Sequence, residues 1–378
     1  MSIQYLGWAA DTHAARVTAD RMTSSWSPTA ELDGLDLGAL TAFLRSRGVP
    51  AAGPMRGELI SGGKSNLTYR LSDRKRGYVL RRPPLGPILP GAHDVAREYR
   101  VMGALADSAV PVPAMIALCA DDAVMGVPFY VMEAVPGVVL RDRDLVAQVP
   151  EGVRAKLAGK LVDTMADLHE IDPADVGLSG LGRPDGYLRR QLDRWLRQYH
   201  TIKVRDLDQV EPVAAVLQAS LPATGGAGIV HGDYRLDNVI VDHDDMSRIA
   251  AVLDWEMATL GDPLADLAAL VMFWDEPGQK FNPITKGLTA FSGFLTRDQV
   301  VERYVTRRGL VVDDLDWYLV FARFRLAIIL EQIHVRHLAG KTRGEGFDRV
   351  GDMVAALLAQ CHEAVEATPR LRTARTLR

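Results

Sequence analysis

The chain has 378 residues, of which 48% are hydrophobic and 24% charged, with a formal net charge of -4. That length favours two lobes over a single core, and the mildly acidic balance lacks the basic footprint of a nucleic-acid-binding protein. Only two cysteines occur, Cys119 and Cys361. They lie far apart without CxxC spacing, which argues against a disulfide framework or structural zinc and fits a reducing cytoplasm.

The first residues, MSIQYLGWAADTHAARV, lack a basic stretch followed by a long apolar run, so no secretory signal is expected. No apolar run approaches the length of a membrane span. Residues 1–30 read as a poorly patterned extension. A helix is predicted over 35–48, with apolar residues near 3.6 spacing and Gly48 as its stop. Three short, partly alternating segments follow at 55–63, 65–72 and 77–82, separated by glycines or by DRKRG, and read as antiparallel strands. The Pro-rich stretch 83–91 is a loop, because proline removes the donor that a regular element needs. Residues 92–107 form a helix, and 115–120 and 128–135 are strands.

From about residue 151 the pattern changes to long amphipathic helices, EGVRAKLAGKLVDTMADLHE and PDGYLRRQLDRWLRQYH. A strand region follows (GIVHGD, NVIVD, RIAAVLDW), then helices to the C-terminus, notably 314–340. The expected fold is α+β and two-lobed: a small antiparallel-sheet lobe over 31–135 and a larger helical lobe over 136–378, with Pro136-Gly137 as hinge.

HGDYRLDN, residues 231–238, stands between apolar strand-like runs, and Asp254 follows sixteen residues after Asn238. Strand ends present carboxylates into a cleft while apolar flanks anchor them. Phosphoryl transfer needs a carboxylate to orient the attacking hydroxyl and oxygen ligands to hold Mg2+ against the phosphates. An acid five residues before an asparagine, then a second acid after a hairpin, meets that requirement. Asp233 would take the hydroxyl proton, and Asn238 and Asp254 would hold the metal.

HGDYRLDN and LDWEMATLGDPLADLA resemble the phosphotransferase family of aminoglycoside and choline kinases, which has a protein-kinase-like fold. In that family the catalytic loop reads roughly HGDxxxxN, and the metal-binding segment is a hydrophobic pair followed by DW or DF. The resemblance implies ATP as phosphoryl donor, Mg2+ as cofactor and a small-molecule hydroxyl as acceptor. It also implies that LISGGKSNLTYRL is the strand–turn–strand over the phosphates, with Gly62, Gly63, Lys64 and Ser65 in the turn. GGKS does not complete a P-loop, because Glu58 stands at the first glycine position. The phosphate-binding lysine of the fold is matched by Arg81 in YVLRR, a departure that keeps the charge but changes its shape. The alternative is that Arg81 and Arg82 are solvated strand residues. Glu98 matches the companion acid on the next helix, and FYVMEAVPG matches the adenine-docking hinge, with Glu133 and Val135 contributing main-chain atoms.

By the same resemblance His231 braces the loop, and Asp266 holds it by accepting backbone hydrogen bonds. Asp262 does likewise or caps the helix that Pro263 begins. His169, His200, His334 and His337 read as structural or solvent-facing, and Trp195, Tyr199, Trp274, Trp317 and Tyr318 as core, with one or two of these aromatics as alternative lining of the acceptor pocket that the resemblance implies in the helical lobe. The helices expected to form the acceptor site carry more arginine than acid, which favours an anionic or amphiphilic acceptor over a polycation. VLRRPP and HGDYRLDN are most similar to the branch fused to some acyl-CoA dehydrogenases, which implies an acyl-CoA-like or lipid-like acceptor. Two other readings compete. A nucleotide-binding pseudokinase or scaffold conflicts with the complete set Asp233, Asn238 and Asp254. A metal-dependent hydrolase gives no role to the glycine turn, Arg81 and the hinge.

Overall fold

Alternating side chains in the first third of the chain build one antiparallel sheet whose inner face is apolar. The computed structural model describes residues 32–61, 66–85, 94–223, 226–279, 284–342 and 347–376. The N-terminal extension 1–30, the turn Gly62, Gly63, Lys64 and Ser65, and residues 86–91 of the Pro-rich loop lie outside the described residues.

In chain order the first elements are α1 (Leu37–Ser46), β1 (Arg56–Ser61), β2 (Leu67–Ser72), β3 (Gly77–Arg82), α2 (Val95–Ala104) and β4 (Met115–Cys119). Next come α3 (Asp122–Met125), β5 (Phe129–Glu133), α4 (Arg143–Ala147), α5 (Glu151–Glu170), α6 (Tyr187–Ile202) and α7 (Val210–Ala219). Four short strands follow: β6 (Gly228–Val230), β7 (Val239–Val241), β8 (Ile249–Val252) and β9 (Thr259–Gly261). The chain continues through α8 (Pro263–Met272), α9 (Arg297–Arg308), α10 (Leu315–Leu338), α11 (Val350–Ala367) and α12 (Pro369–Thr376). The described residues form two compact units. One runs to Thr164 and includes Leu236–Ala258; the other comprises Met165–Arg235 and the chain from Thr259 onward.

In the first unit the strands are ordered β1-β2-β3-β5-β4, all antiparallel. Leu80 pairs in register with Tyr69 on one side and Val131 on the other, and all three are buried. They share a core with Leu40 and Phe43 of α1 and with Phe129, whose ring meets that of Phe43 edge-on. Emptying such a position, as in Leu80→Ala, costs about 2–5 kcal/mol. Helix α1 starts where the Asp36 carboxylate accepts from the Ala39 N–H, and it stops before Gly48, whose φ of 77° suits a residue without Cβ. The β7–β8 hairpin also belongs to this unit, and Val138 bridges to Val241 at its edge.

In the second unit β6 pairs antiparallel with β9, and α8 begins immediately afterwards. Pro263 occupies the first turn of α8, and the Asp262 carboxylate caps it by accepting from the Leu264 N–H at 3.0 Å. Helix α10 packs against α6, α8 and α11. Trp195, Tyr199, Trp274, Trp317 and Tyr318 are all buried in this unit, as expected of core residues. Among the described residues, no helix is long and apolar enough to cross a membrane.

Candidate active site

Arg81 sits near the end of β3, opposite Thr68 of β2 and Tyr130 of β5. Both Arg81 and Arg82 are buried, so neither is a solvated strand residue. Arg82 turns to backbone carbonyls, among them those of Gly34 and Met125. Arg81 forks instead. Its Nη1 lies 2.9 Å from Glu98 Oε2, and its Nη2 lies 3.5 Å from Asp254 Oδ1.

Glu98 comes from α2, which the Asp94 carboxylate caps by accepting from the Arg97 N–H. The helix packs on the turn Trp255–Met257, where Arg97 Nε donates to the Ala258 carbonyl at 2.9 Å. Glu98 is fully buried and also accepts from Tyr130 Oη (3.0 Å) and from Asn66 Nδ2 (2.7 Å). Burial pushes its carboxyl up to about 7, against the pull of Arg81 and these donors. Burial alone would lower Arg81, but Glu98, Tyr130 and Asp254 hold it well above the ordinary arginine value.

The β7–β8 hairpin positions the two expected metal ligands. Val239 pairs with Val252, so Asn238 precedes one strand where Leu253 and Asp254 leave the other. The Leu253 N–H donates to the Asn238 carbonyl at 2.8 Å and ties the two ends. Asp254 has φ 70°, a left-handed conformation unusual for an aspartate. Buried Trp255 pins the following turn, its Nε1 donating to the Val252 carbonyl at 3.0 Å. Among the described residues no three His, Cys, Asp or Glu side chains gather to hold a metal unaided. One carboxylate and one amide oxygen nevertheless suit Mg2+, which takes one or two protein oxygens and completes its shell with phosphates and water.

Residues 231–235 of the expected catalytic loop are anchored within the second unit. Asp266, on α8, accepts from the backbone N–H of His231 (Oδ2, 2.6 Å) and of Gly232 (Oδ1, 2.9 Å). Gly232 has φ 85°, which a side chain would resist. The Asp233 N–H donates to His231 Nδ1 at 3.2 Å, so His231, buried beneath the edge of the Tyr234 ring, braces the loop. Burial would raise Asp266, yet the hydrogen bond to His169 and the charges of His169 and His231 hold it below its ordinary value. His169 Nε2 lies 3.4 Å from Asp266 Oδ2, and its Nδ1 lies 2.7 Å from Tyr304 Oη. Asp233 itself faces Arg235, whose Nε is 3.2 Å from Oδ1. The Gly232 carbonyl accepts from Arg325 Nη2 at 3.0 Å.

At the expected hinge, Glu133 ends β5, and its N–H donates to the Ala114 carbonyl at 2.9 Å. Val135 follows two residues on. Asn66, Tyr130, His169, Tyr304, Arg235 and Arg325 were not among the expected site residues. Asn66 and Arg235 stand inside quoted motifs, and Tyr130 inside the hinge segment. His169, Tyr304 and Arg325 carry no local signal, because they reach the site through packing of separate helices.

Residues 56–286 match the model of a phosphotransferase enzyme family. Acyl-CoA dehydrogenase family member 11 of Gallus gallus is 36% identical over 85% of this chain and 41% of its own length. The Homo sapiens protein of that name is 34% identical over 75% of this chain and 36% of its own. The chain thus spans less than half the length of these relatives. Among solved structures, a Ralstonia eutropha protein provisionally named an aminoglycoside phosphotransferase is 32% identical, with TM-score 0.75, covering 87% of this chain and 98% of that one. A thermostable mutant of aminoglycoside phosphotransferase APH(4)-Ia, solved as a ternary complex with AMP-PNP and hygromycin B, shares the fold at 19% identity and TM-score 0.55, covering 87% of this chain and 98% of its own.

Proposed function

Since this chain belongs to the phosphotransferase enzyme family, as a small-molecule kinase of protein-kinase-like fold, we propose that it transfers the terminal phosphoryl group of ATP to a hydroxyl of a small acceptor, with Asp233 as catalytic base. The observation that carries this reading is the Arg81 guanidinium bridging Glu98 and Asp254. It puts a buried cation beside a metal-ligand candidate, where phosphates need charge neutralised.

Each residue then has a task. Residues 31–135 bind nucleotide, with Gly62, Gly63, Lys64 and Ser65 over the phosphates, and residues 136–378 supply the catalytic loop and acceptor site. Arg81 holds phosphate oxygens, and Glu98 keeps Arg81 in place. The Glu133 carbonyl and the Val135 main chain meet the adenine edge. Asn238 and Asp254 hold Mg2+, which when bound neutralises charge on the transferring phosphates. Asp233 accepts the acceptor hydroxyl proton as the oxygen attacks phosphorus, and Asp266 keeps that loop rigid.

The acceptor is anionic or acyl-CoA-like. The arginines of α6 and α10 support this, as do relatives named for acyl-CoA dehydrogenases. A cytoplasmic setting fits Cys119 and Cys361, both buried and unbridged. A pseudokinase would keep the fold without turnover, but Asp233, Asn238 and Asp254 are all present.

A thermal-shift titration with ATP and Mg2+ tests nucleotide binding. A coupled ADP-release screen over hydroxylated metabolites, acyl-CoAs and aminoglycosides then tests the acceptor. Stabilisation by nucleotide and turnover with an anionic acceptor are expected. No shift at millimolar nucleotide overturns the kinase reading, and nucleotide binding without turnover of any acceptor supports the pseudokinase.

A further inference from the structure

The backbone leading into Asp233 is tied down by side chains from distant elements. The N–H groups of His231 and Gly232 donate to Asp266 of α8 at 2.6 and 2.9 Å. The peptide that joins Gly232 to Asp233 is held at both ends. Its N–H donates to His231 Nδ1 at 3.2 Å, and its oxygen accepts from Nη2 of Arg325, on α10, at 3.0 Å. That peptide is the one that most needs holding. Gly232, at φ 85°, lets the plane on its C-terminal side turn more freely than a residue with a side chain would. The peptide is rigid and only the dihedrals beside it are soft, so a turn of this plane re-aims the Cα–Cβ bond of Asp233. Arg325 restrains it with a charged donor, the stronger kind of hydrogen bond.

The arginine is itself steadied by α6. Its guanidinium carbon lies 5.5 Å from the centre of the Trp195 ring, within the range at which an indole face attracts a cation. Trp195 is 3% exposed and Arg325 half-buried, so the indole is a fixed platform for the longer side chain. The start of α6 is equally firm, because a Cβ on Gly261 would come within 2.7 Å of the buried Tyr187 ring. Burial pushes the Tyr187 phenol up to about 12, and the charge of Arg325 is the foremost influence against that rise. The guanidinium is therefore felt at both aromatic residues of the helix.

We propose that Arg325, seated on Trp195, is a positioning residue for phosphoryl transfer: it fixes the peptide before Asp233 and so aims the carboxylate of the base. Asp266 holds the loop where it begins, and Arg325 holds it where the base leaves it. Trp195 acts at one remove, through the guanidinium. A base misplaced by about an ångström loses much of its rate, while nucleotide binding does not depend on its aim.

This inference rests on the phosphotransferase reading with Asp233 as base, and the test separates the two. ADP release by the full chain is measured with ATP and Mg2+, with water alone and with the acceptors of the coupled screen. Amide hydrogen exchange of residues 231–235 is followed by mass spectrometry with AMP-PNP and Mg2+ bound. Arg325→Met keeps the stem but removes the donors, and Trp195→Leu removes the platform. Both should lower kcat about ten- to a hundredfold with the KM for ATP unchanged, and speed exchange of the loop about tenfold or more. Arg325→Lys and Trp195→Phe keep a cation and a ring face, and should recover part of both losses, which a role in packing alone would not produce. Thermal stabilisation by AMP-PNP with Mg2+ stays at the wild-type level in the Arg325 variants and reports an intact fold. Wild-type kcat or wild-type loop protection in Arg325→Met overturns the positioning role, as does Arg325→Lys performing no better than Arg325→Met. Near wild-type turnover in Asp233→Asn, or a wild-type chain that releases no ADP under any of these conditions, overturns the kinase reading instead.

Discussion

Arg81 Nη1 lies 2.9 Å from Glu98 Oε2, while the other arm of the same guanidinium reaches Asp254 at 3.5 Å. An arginine fork reaches two acids with separate arms; a lysine carries one compact charge without that planar geometry. Arg81→Lys is therefore expected to weaken AMP-PNP binding about tenfold, roughly 1.4 kcal/mol. Calorimetric titration measures this, and an unchanged affinity would mean the fork is not used.

Glu98 predicts a pH dependence. Burial raises its folded value to about 7 from an ordinary 4.5, so the folded protein binds this proton more tightly than the unfolded chain. Its contribution to stability is full below about 4.5 and is lost as pH rises through about 7. Glu98→Gln should flatten the fall in melting temperature between those limits. An identical slope in variant and wild type would assign the effect elsewhere.

Asp266 satisfies two buried backbone donors at once. Asp266→Ala leaves the His231 and Gly232 N–H groups unpaired, and at about 1–3 kcal/mol each the unfolding free energy should drop by several kcal/mol. Asp266→Asn keeps one acceptor oxygen and should lose less. Urea denaturation of both variants orders them, and equal stabilities would contradict this account of the loop.

Turnover should depend on the acids of the catalytic loop and hairpin. Asp233→Asn and Asp254→Ala are expected to reduce kcat by about 10²–10⁴-fold with far-ultraviolet dichroism unchanged. Near wild-type turnover in Asp233→Asn would remove that residue as the base.

Gly137, with φ 145°, directs its missing Cβ to within 2.4 Å of Ile240 Cγ2 and of the Val241 carbonyl. Gly137→Ala therefore combines backbone strain with overlap and should cost about 1–3 kcal/mol or more. A melting temperature equal to wild type would show that the segment relaxes freely.

The chain by itself determined the local grammar of this protein. The alternation that makes β2 and β3, Gly48 beyond α1, Asp262-Pro263 opening α8 and the order of acids through HGDYRLDN are all short-range features. They depend on dihedral preference, capping and period, each complete within a few residues. Only the tertiary structure decided which distant groups meet. It inserted β5 between β3 and β4. It grouped Leu236–Ala258 with the N-terminal sheet, buried Glu98, which the resemblance had already matched to Arg81, and gave it Tyr130 and Asn66 as further partners, and set His169 and Tyr304 behind Asp266. Those relations are legible only after packing, because a buried charge is tolerated where several elements converge to satisfy it, and no single stretch of sequence contains that convergence.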